Sequence, residues 1–180
     1  RLTELLLSDN ALETLPDALG ELRSLSSLTV ARNQLAVLPE LSQLRRLSCL
    51  DLSENRLAHL PDWLGTLPLS ALLADGNRIS TLPENMDGWS AMRGLSLAGN
   101  ALLALPSIRP LSSLQSLDLS GNELTQLPED LSPLHCLTEL NLSANALTHL
   151  PESLWHLPSL TTLRLAGNQI AELSWTVRTA

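Results

Sequence analysis

The chain has 180 residues and a net charge of −8, a balance that disfavours a nucleic-acid backbone or an anionic membrane surface as partner. It is 44% hydrophobic but only 2% aromatic, with four Trp and neither Phe nor Tyr, so any interior has to be filled with leucine. No apolar run approaches the length of a membrane span, and the opening "RLTELLLSDN" lacks the charged, apolar and small-residue succession of a signal peptide.

From Leu2 onward one unit recurs, L-x-x-L-x-L-x-x-N-x-L-x-x-L-P. Copies begin at residues 2, 25, 47, 69, 92, 114, 137 and 160, and centre on Asn10, Asn33, Asn55, Asn77, Asn100, Asn122, Asn145 and Asn168. The asparagines are 22 or 23 residues apart throughout. Seven copies end on a Leu-Pro pair, at Pro16, Pro39, Pro61, Pro83, Pro106, Pro128 and Pro151; the eighth reads "LAGNQIAELSW" and has none. Replacements inside the frame stay apolar: Val30, Ala74, Ile79, Met92 and Ile170. Chance does not hold an asparagine in such a frame eight times, so the chain is a solenoid.

Each part of the unit has a physical task. L-x-L alternates inward leucine with outward polar or small residues, the period of a strand buried on one face. The asparagine follows where the chain bends inward, and its amide both donates and accepts, so it can satisfy turn groups that no ladder reaches. The proline beyond it withholds a backbone donor and ends regular pairing. The predicted fold is therefore a repeat solenoid of the α/β class. A parallel sheet lines the concave face of a horseshoe, with short helical, 3-10 or irregular returns on the convex face. Residues 1–180 form a single domain of eight repeats. Arg1 lies directly against the first repeat with no polar coil ahead of it, so a piece of a longer chain with an open first coil is expected.

The unit resembles leucine-rich repeats over residues 2 to 175, and its "LP-x-x-L" return is similar to the type found in bacterial proteins and intracellular eukaryotic scaffolds. The resemblance implies a non-catalytic protein-recognition scaffold with its partner on the concave face. Two alternatives stand beside it: the targeting arm of a larger enzyme, such as a bacterial effector ubiquitin ligase, or a structural spacer. Lysine is absent altogether. A targeting arm without lysine escapes its own ligase, but Phe and Tyr are missing too, which biased coding explains.

No catalytic or nucleotide-binding motif is present, and no cofactor is expected. His59 and His149 occupy the same slot four repeats apart, about 19 Å, too far to share a metal. His135, Cys136 and His156 lie on neighbouring returns and read as surface positions. Cys49 and Cys136 are also about four strands apart, which excludes a disulfide; free thiols and the missing signal peptide lean towards an intracellular setting. Trp89 occupies a leucine slot and is expected in the core, Trp63 and Trp155 are expected as half-buried packing or else a second contact surface, and Trp175 is expected to shield the final coil. The asparagines are structural, and Asn168, with a neighbour on one side only, is expected to contribute less than Asn100.

The outward positions of the sheet lie at −6, −4, −2, −1 and +1 from each asparagine. They carry eight acids (Glu4, Asp9, Asp51, Glu54, Asp75, Asp118, Glu123, Glu139) against four arginines (Arg32, Arg56, Arg78, Arg164). Gly76, Gly99, Gly121 and Gly167 in the −1 column read as a smooth surface in the later repeats. Arg56 and Arg78 share a column in adjacent coils, about 5 Å apart at the backbone. With Arg32, Asp51, Glu54 and Asp75 they form the nominated contact site for a protein partner, since arginine's planar donor head suits interfaces; the alternative is a solvated face whose charges merely pair with one another. With no ring on this face, binding is expected to be polar and salt-sensitive. No nucleic-acid partner and no membrane insertion are expected.

Overall fold

The computed structural model describes residues 1–173; the position read for Trp175 lies outside them. Among the described residues, eight strands of three residues form one parallel sheet in chain order. They are β1 (Glu4–Leu6), β2 (Ser27–Thr29), β3 (Cys49–Asp51), β4 (Ala71–Leu73), β5 (Gly94–Ser96), β6 (Ser116–Asp118), β7 (Glu139–Asn141) and β8 (Thr162–Arg164). The sheet is open: β1 and β8 are its two edges. Its register aligns Leu5, Leu28, Leu50, Leu72, Leu95, Leu117, Leu140 and Leu163 in one inward row. One strand per unit, in an unbroken register, is what the repeat period dictates.

Behind that row lies a continuous leucine core, from Leu15 to Leu157, to which each repeat gives leucines from its strand and its return. Fully burying one such side chain stabilises by about 1.5–3 kcal/mol, so the mid-array coils, buried on both sides, carry most of the stability. The returns run through short 3-10 turns at Asp17–Glu21, Asp62–Thr66, Asp87–Ala91, Arg109–Leu111, Ser132–Leu134 and Glu152–His156. Trp89 is fully buried, as its leucine slot implied, and its indole N–H donates to the Leu64 carbonyl at 3.1 Å. Trp63 and Trp155 are half-buried against the core. The third and fourth returns approach so closely that a methyl group at Gly65 would fall 1.8 Å from the Asn85 carbonyl oxygen. Only glycine fits there.

The asparagines tie each coil to the one before it. The side-chain carbonyl of Asn33 accepts the Leu12 N–H, and the pattern continues through Asn55–Leu35, Asn77–Leu57, Asn100–Ile79, Asn122–Leu102, Asn145–Leu124 and Asn168–Leu147. The same amides donate back across the gap, at 2.8–3.0 Å, to the carbonyls of Leu7, Val30, Leu52, Ala74, Leu97, Leu119 and Leu142. Each also donates to the carbonyl three residues before it in its own coil, as Asn100 does to Leu97.

This directionality corrects one expectation. Asn168 keeps both bonds to the seventh coil, so being last costs it none of its cross-coil partners. The deprived member is Asn10, which is exposed and donates only to Leu7 and Ser8 of its own coil. Asn100→Ala strands a turn N–H and two carbonyls and is expected to cost about 1–3 kcal/mol in urea melts, with Asn168→Ala in the same range. Asn10→Ala should stay within about 0.5 kcal/mol. A large loss at Asn10 beside a small one at Asn168 would reverse the polarity assigned to the ladder.

Candidate functional site on the sheet face

Parallel register turns the repeat columns into rows of neighbours. The −6 row runs Glu4, Ser27, Cys49, Ala71, Gly94, Ser116, Glu139, Thr162, and the −4 row runs Leu6, Thr29, Asp51, Leu73, Ser96, Asp118, Asn141, Arg164. Just ahead of the strands, hydroxyls hold carbonyls of the preceding coil: Ser26 to Thr3, Ser48 to Ser26, Ser70 to Ser48, Thr138 to Gln115 and Thr161 to Thr138. That small ladder was invisible in the alternation of apolar and polar residues, although the Thr/Ser column at −7 carries its signal.

The nominated six residues divide into three groups. Arg32 is already engaged: its guanidinium forks onto Asp9 at 2.5 and 2.8 Å, the ion pair found among the described residues. The hydrogen bond from Arg32 holds the Asp9 carboxyl below the usual carboxylate range. The Asp9 hydrogen bond and charge raise Arg32 further, with weaker help from Glu54 and Asp51. Asp51 and Asp75 are half-buried and turned to the backbone. Asp51 accepts the Ser53 N–H at 3.0 Å, and one oxygen of Asp75 takes both the Ser96 hydroxyl at 2.5 Å and the Ala98 N–H at 2.8 Å. Asp118 and Asn141 do the same farther along, and are joined to each other at 2.9 Å.

Arg56, Arg78 and Glu54 form the third group. All three are exposed, and among the described residues no ion pair within 4 Å engages any of them. Their backbones are fixed in adjacent coils, Arg56 by its N–H to Leu35 and Arg78 by its N–H to Leu57. Two exposed arginines therefore stand at the same position of adjacent coils on a rigid backbone. On the outward side of β4, in register with Asp51 and Ser96, Leu73 is 41% exposed. Reading the face for charge alone passed over Leu73 and, at the edge, Leu6, 64% exposed. Both sit in the −4 column, where outward leucine breaks the alternation, and that is the signal that finds them.

The −1 column has a second meaning. In every repeat the residue before the asparagine is left-handed, with φ between 52° and 73°: Asp9, Arg32, Glu54, Gly76, Gly99, Gly121, Ala144 and Gly167. Glycine is there because the backbone demands it, and the smooth surface is a by-product. Arg32, Glu54 and Ala144 bear the cost of a Cβ in that conformation, about 1–2 kcal/mol each.

Elsewhere the sequence candidates stay apart. Among the described residues no three His, Cys, Asp or Glu side chains are placed to hold a metal ion; His156 instead contacts the Glu152 carbonyl at 3.0 Å through Nδ1. Cys49 is exposed on β3, Cys136 is half-buried beside the returns, and both are free thiols.

Leucine-rich-repeat family models match residues 91–147 and 112–170, and again 1–22 and 46–67. The chain belongs to the leucine-rich-repeat family. Among solved structures it is similar to YopM from Yersinia enterocolitica, with 30% identity and a TM-score of 0.78 over 97% of this chain and 35% of that one. A leucine-rich-repeat protein of Leptospira interrogans shares 29% identity, with a TM-score of 0.68 over 95% of this chain and 56% of that one. The TLR13–ssRNA13 complex matches at 28% identity and a TM-score of 0.81, over 94% of this chain and 25% of that one. This leucine-rich-repeat chain thus spans between 25% and 56% of the length of these proteins. No curated protein matches it in sequence.

The strain at −1 can be checked. Ala144→Gly is expected to raise stability by about 1 kcal/mol by removing a Cβ from a left-handed position. Gly121→Ala should lower it by a similar amount, its new methyl also meeting the Gly99 backbone at 3.4 Å. Urea melts that moved both variants in the same direction would refute the assignment.

Proposed function

We propose that the chain is a non-catalytic protein-recognition scaffold whose partner docks on the sheet face around Arg56, Arg78, Glu54 and Leu73. The family and the solved relatives support a protein-interaction scaffold in general. The observation that carries the finer reading is the pair of exposed arginines in adjacent coils, without an ion pair among the described residues, on a face that also exposes Leu73. Arg32, Asp51 and Asp75 complete the surface but already have intramolecular partners, so they shape the site rather than supply free heads to it. An apolar anchor ringed by charge is the usual build of an interface hot spot, and Leu73 supplies an anchor where a ring is missing.

A phosphate backbone fits this face poorly. Although one relative was solved with ssRNA13, the net charge here is −8, and the outward columns hold twice as many acids as arginines. A protein segment bearing carboxylates opposite Arg56 and Arg78, a basic group opposite Glu54 and an apolar side chain over Leu73 matches it better. The reading of the chain as a targeting arm of a larger protein keeps this same surface and adds a catalytic domain elsewhere; the flanking gene sequence decides it.

With a partner isolated on the immobilised chain, Arg56→Ala/Arg78→Ala should weaken the complex about tenfold or more, and Leu73→Ser should weaken it as well. Arg109→Ala, on a return, should leave it unchanged. Calorimetry at rising salt should show the arginine contribution fading. Full affinity in the arginine double variant, with binding lost instead in Trp63→Ala, would move the site to the return side.

A further inference from the structure

A concavity also lies away from the sheet face. It is a groove of about 700 Å³ on the edge that follows the strands, where the Leu-Pro segments of the third, fourth and fifth repeats lie side by side. Its floor is Leu60, Leu82 and Leu105 with Pro61 and Pro106, and its rim carries Asp62 and Glu84. A second depression shares Ala104, Leu105 and Pro106 and carries the groove on to Leu127 and Pro128 of the sixth repeat. Four repeats at the strand spacing of about 4.8 Å make a track roughly 15 Å long, the reach of an extended segment of roughly four or five residues.

The groove lies within a one-signed edge. Six of the seven Leu-Pro pairs are followed by an acid: Asp17, Glu40, Asp62, Glu84, Glu129 and Glu152, all exposed. Local structure accounts for part of this row, since Asp17, Asp62 and Glu152 open 3-10 turns. It does not account for Glu84 on the rim, which opens no turn. Four arginines, Arg23, Arg45, Arg46 and Arg93, lie on the opposite edge, ahead of strands. An apolar floor beside Asp62 and Glu84, with His59 also in the lining, is complementary to one kind of occupant.

We propose that this groove is a second docking site, for an extended cationic segment of a protein partner. An apolar side chain of that segment rests over Leu60, Leu82 and Leu105, while flanking Arg or Lys heads meet Asp62 and Glu84. The site is independent of the sheet-face surface and stands whether or not that surface binds.

The test uses capped hexapeptides of alternating Arg and Leu, alternating Arg and Ser, and alternating Glu and Leu, titrated calorimetrically into the whole chain. Half-buried Trp63, next to Asp62, offers a fluorescence readout of the same event. The Arg/Leu peptide is expected to bind at least about fivefold tighter than Arg/Ser, and Glu/Leu not to bind. Asp62→Asn/Glu84→Gln should weaken the Arg/Leu peptide about fivefold, whereas Asp17→Asn/Glu40→Gln, which removes the same charge from the edge outside the groove, should leave it nearly unchanged. No binding overturns the proposal. So do equal affinities for Arg/Leu and Arg/Ser, or equal losses in the two double variants, since either means diffuse attraction to an acidic edge. Circular dichroism that matches the wild type confirms that each variant is folded.

Discussion

Where each strand ends, the chain turns inward and leaves backbone N–H and C=O groups in a place that neither the sheet ladder nor water serves. A buried unsatisfied group of this kind costs about 1–3 kcal/mol, and the problem recurs at every coil. The asparagine amide meets it with a donor and an acceptor on one short, planar head. Aspartate lacks the donor, and serine lacks the reach. Because each amide from Asn33 onward bonds to the coil before it, it also fixes the spacing and register between coils. The rows of outward residues, and so any surface made from them, exist because that register does not slip.

The same local demands decide which polar groups are free to meet a partner. Asp51, Asp75, Asp118 and Asn141 look like surface charge or polarity in sequence, yet each spends an oxygen on a nearby N–H. Arg32 is bound to Asp9 in a neighbouring coil. What remains projecting around the third and fourth repeats is Arg56, Arg78, Glu54 and Leu73. Around these two repeats, a face crowded with ionisable residues thus reduces, among the described residues, to a few heads outside any ion pair.

Much of the fold was legible because a 22- or 23-residue period with an invariant asparagine leaves few architectures open. The strand row, the leucine core, the 3-10 returns and the buried Trp89 all follow from apolar spacing. Three things were hidden. The glycines at −1 record a left-handed backbone, which column-reading treats as mere smallness; Asp9, Arg32, Glu54 and Ala144 in the same slot mask the signal. The polarity of the amide ladder depends on which neighbour each head reaches, and spacing is symmetric in that respect. The edge groove is lined by Leu-Pro segments that the period does bring together, but apolar spacing does not say that they leave a concavity. Leu73 was legible in principle, since outward leucine at −4 breaks the strand pattern, but a search for charge passes over it.

A solenoid also separates its functions by construction. Each coil touches only its neighbours, so stability is close to a sum of coil and interface contributions. A strained Glu54 or an outward Leu73 weakens the array locally, without disturbing the register of coils several repeats away. The sheet face and the Leu-Pro edge draw on different columns of the same units: −4 and +1 for one, +5 to +7 for the other. Substitution in one column leaves the other geometrically intact. That independence lets a chain with almost no aromatic residues, and one leucine core, present two chemically distinct surfaces: an arginine-bearing face and an acid-rimmed apolar groove.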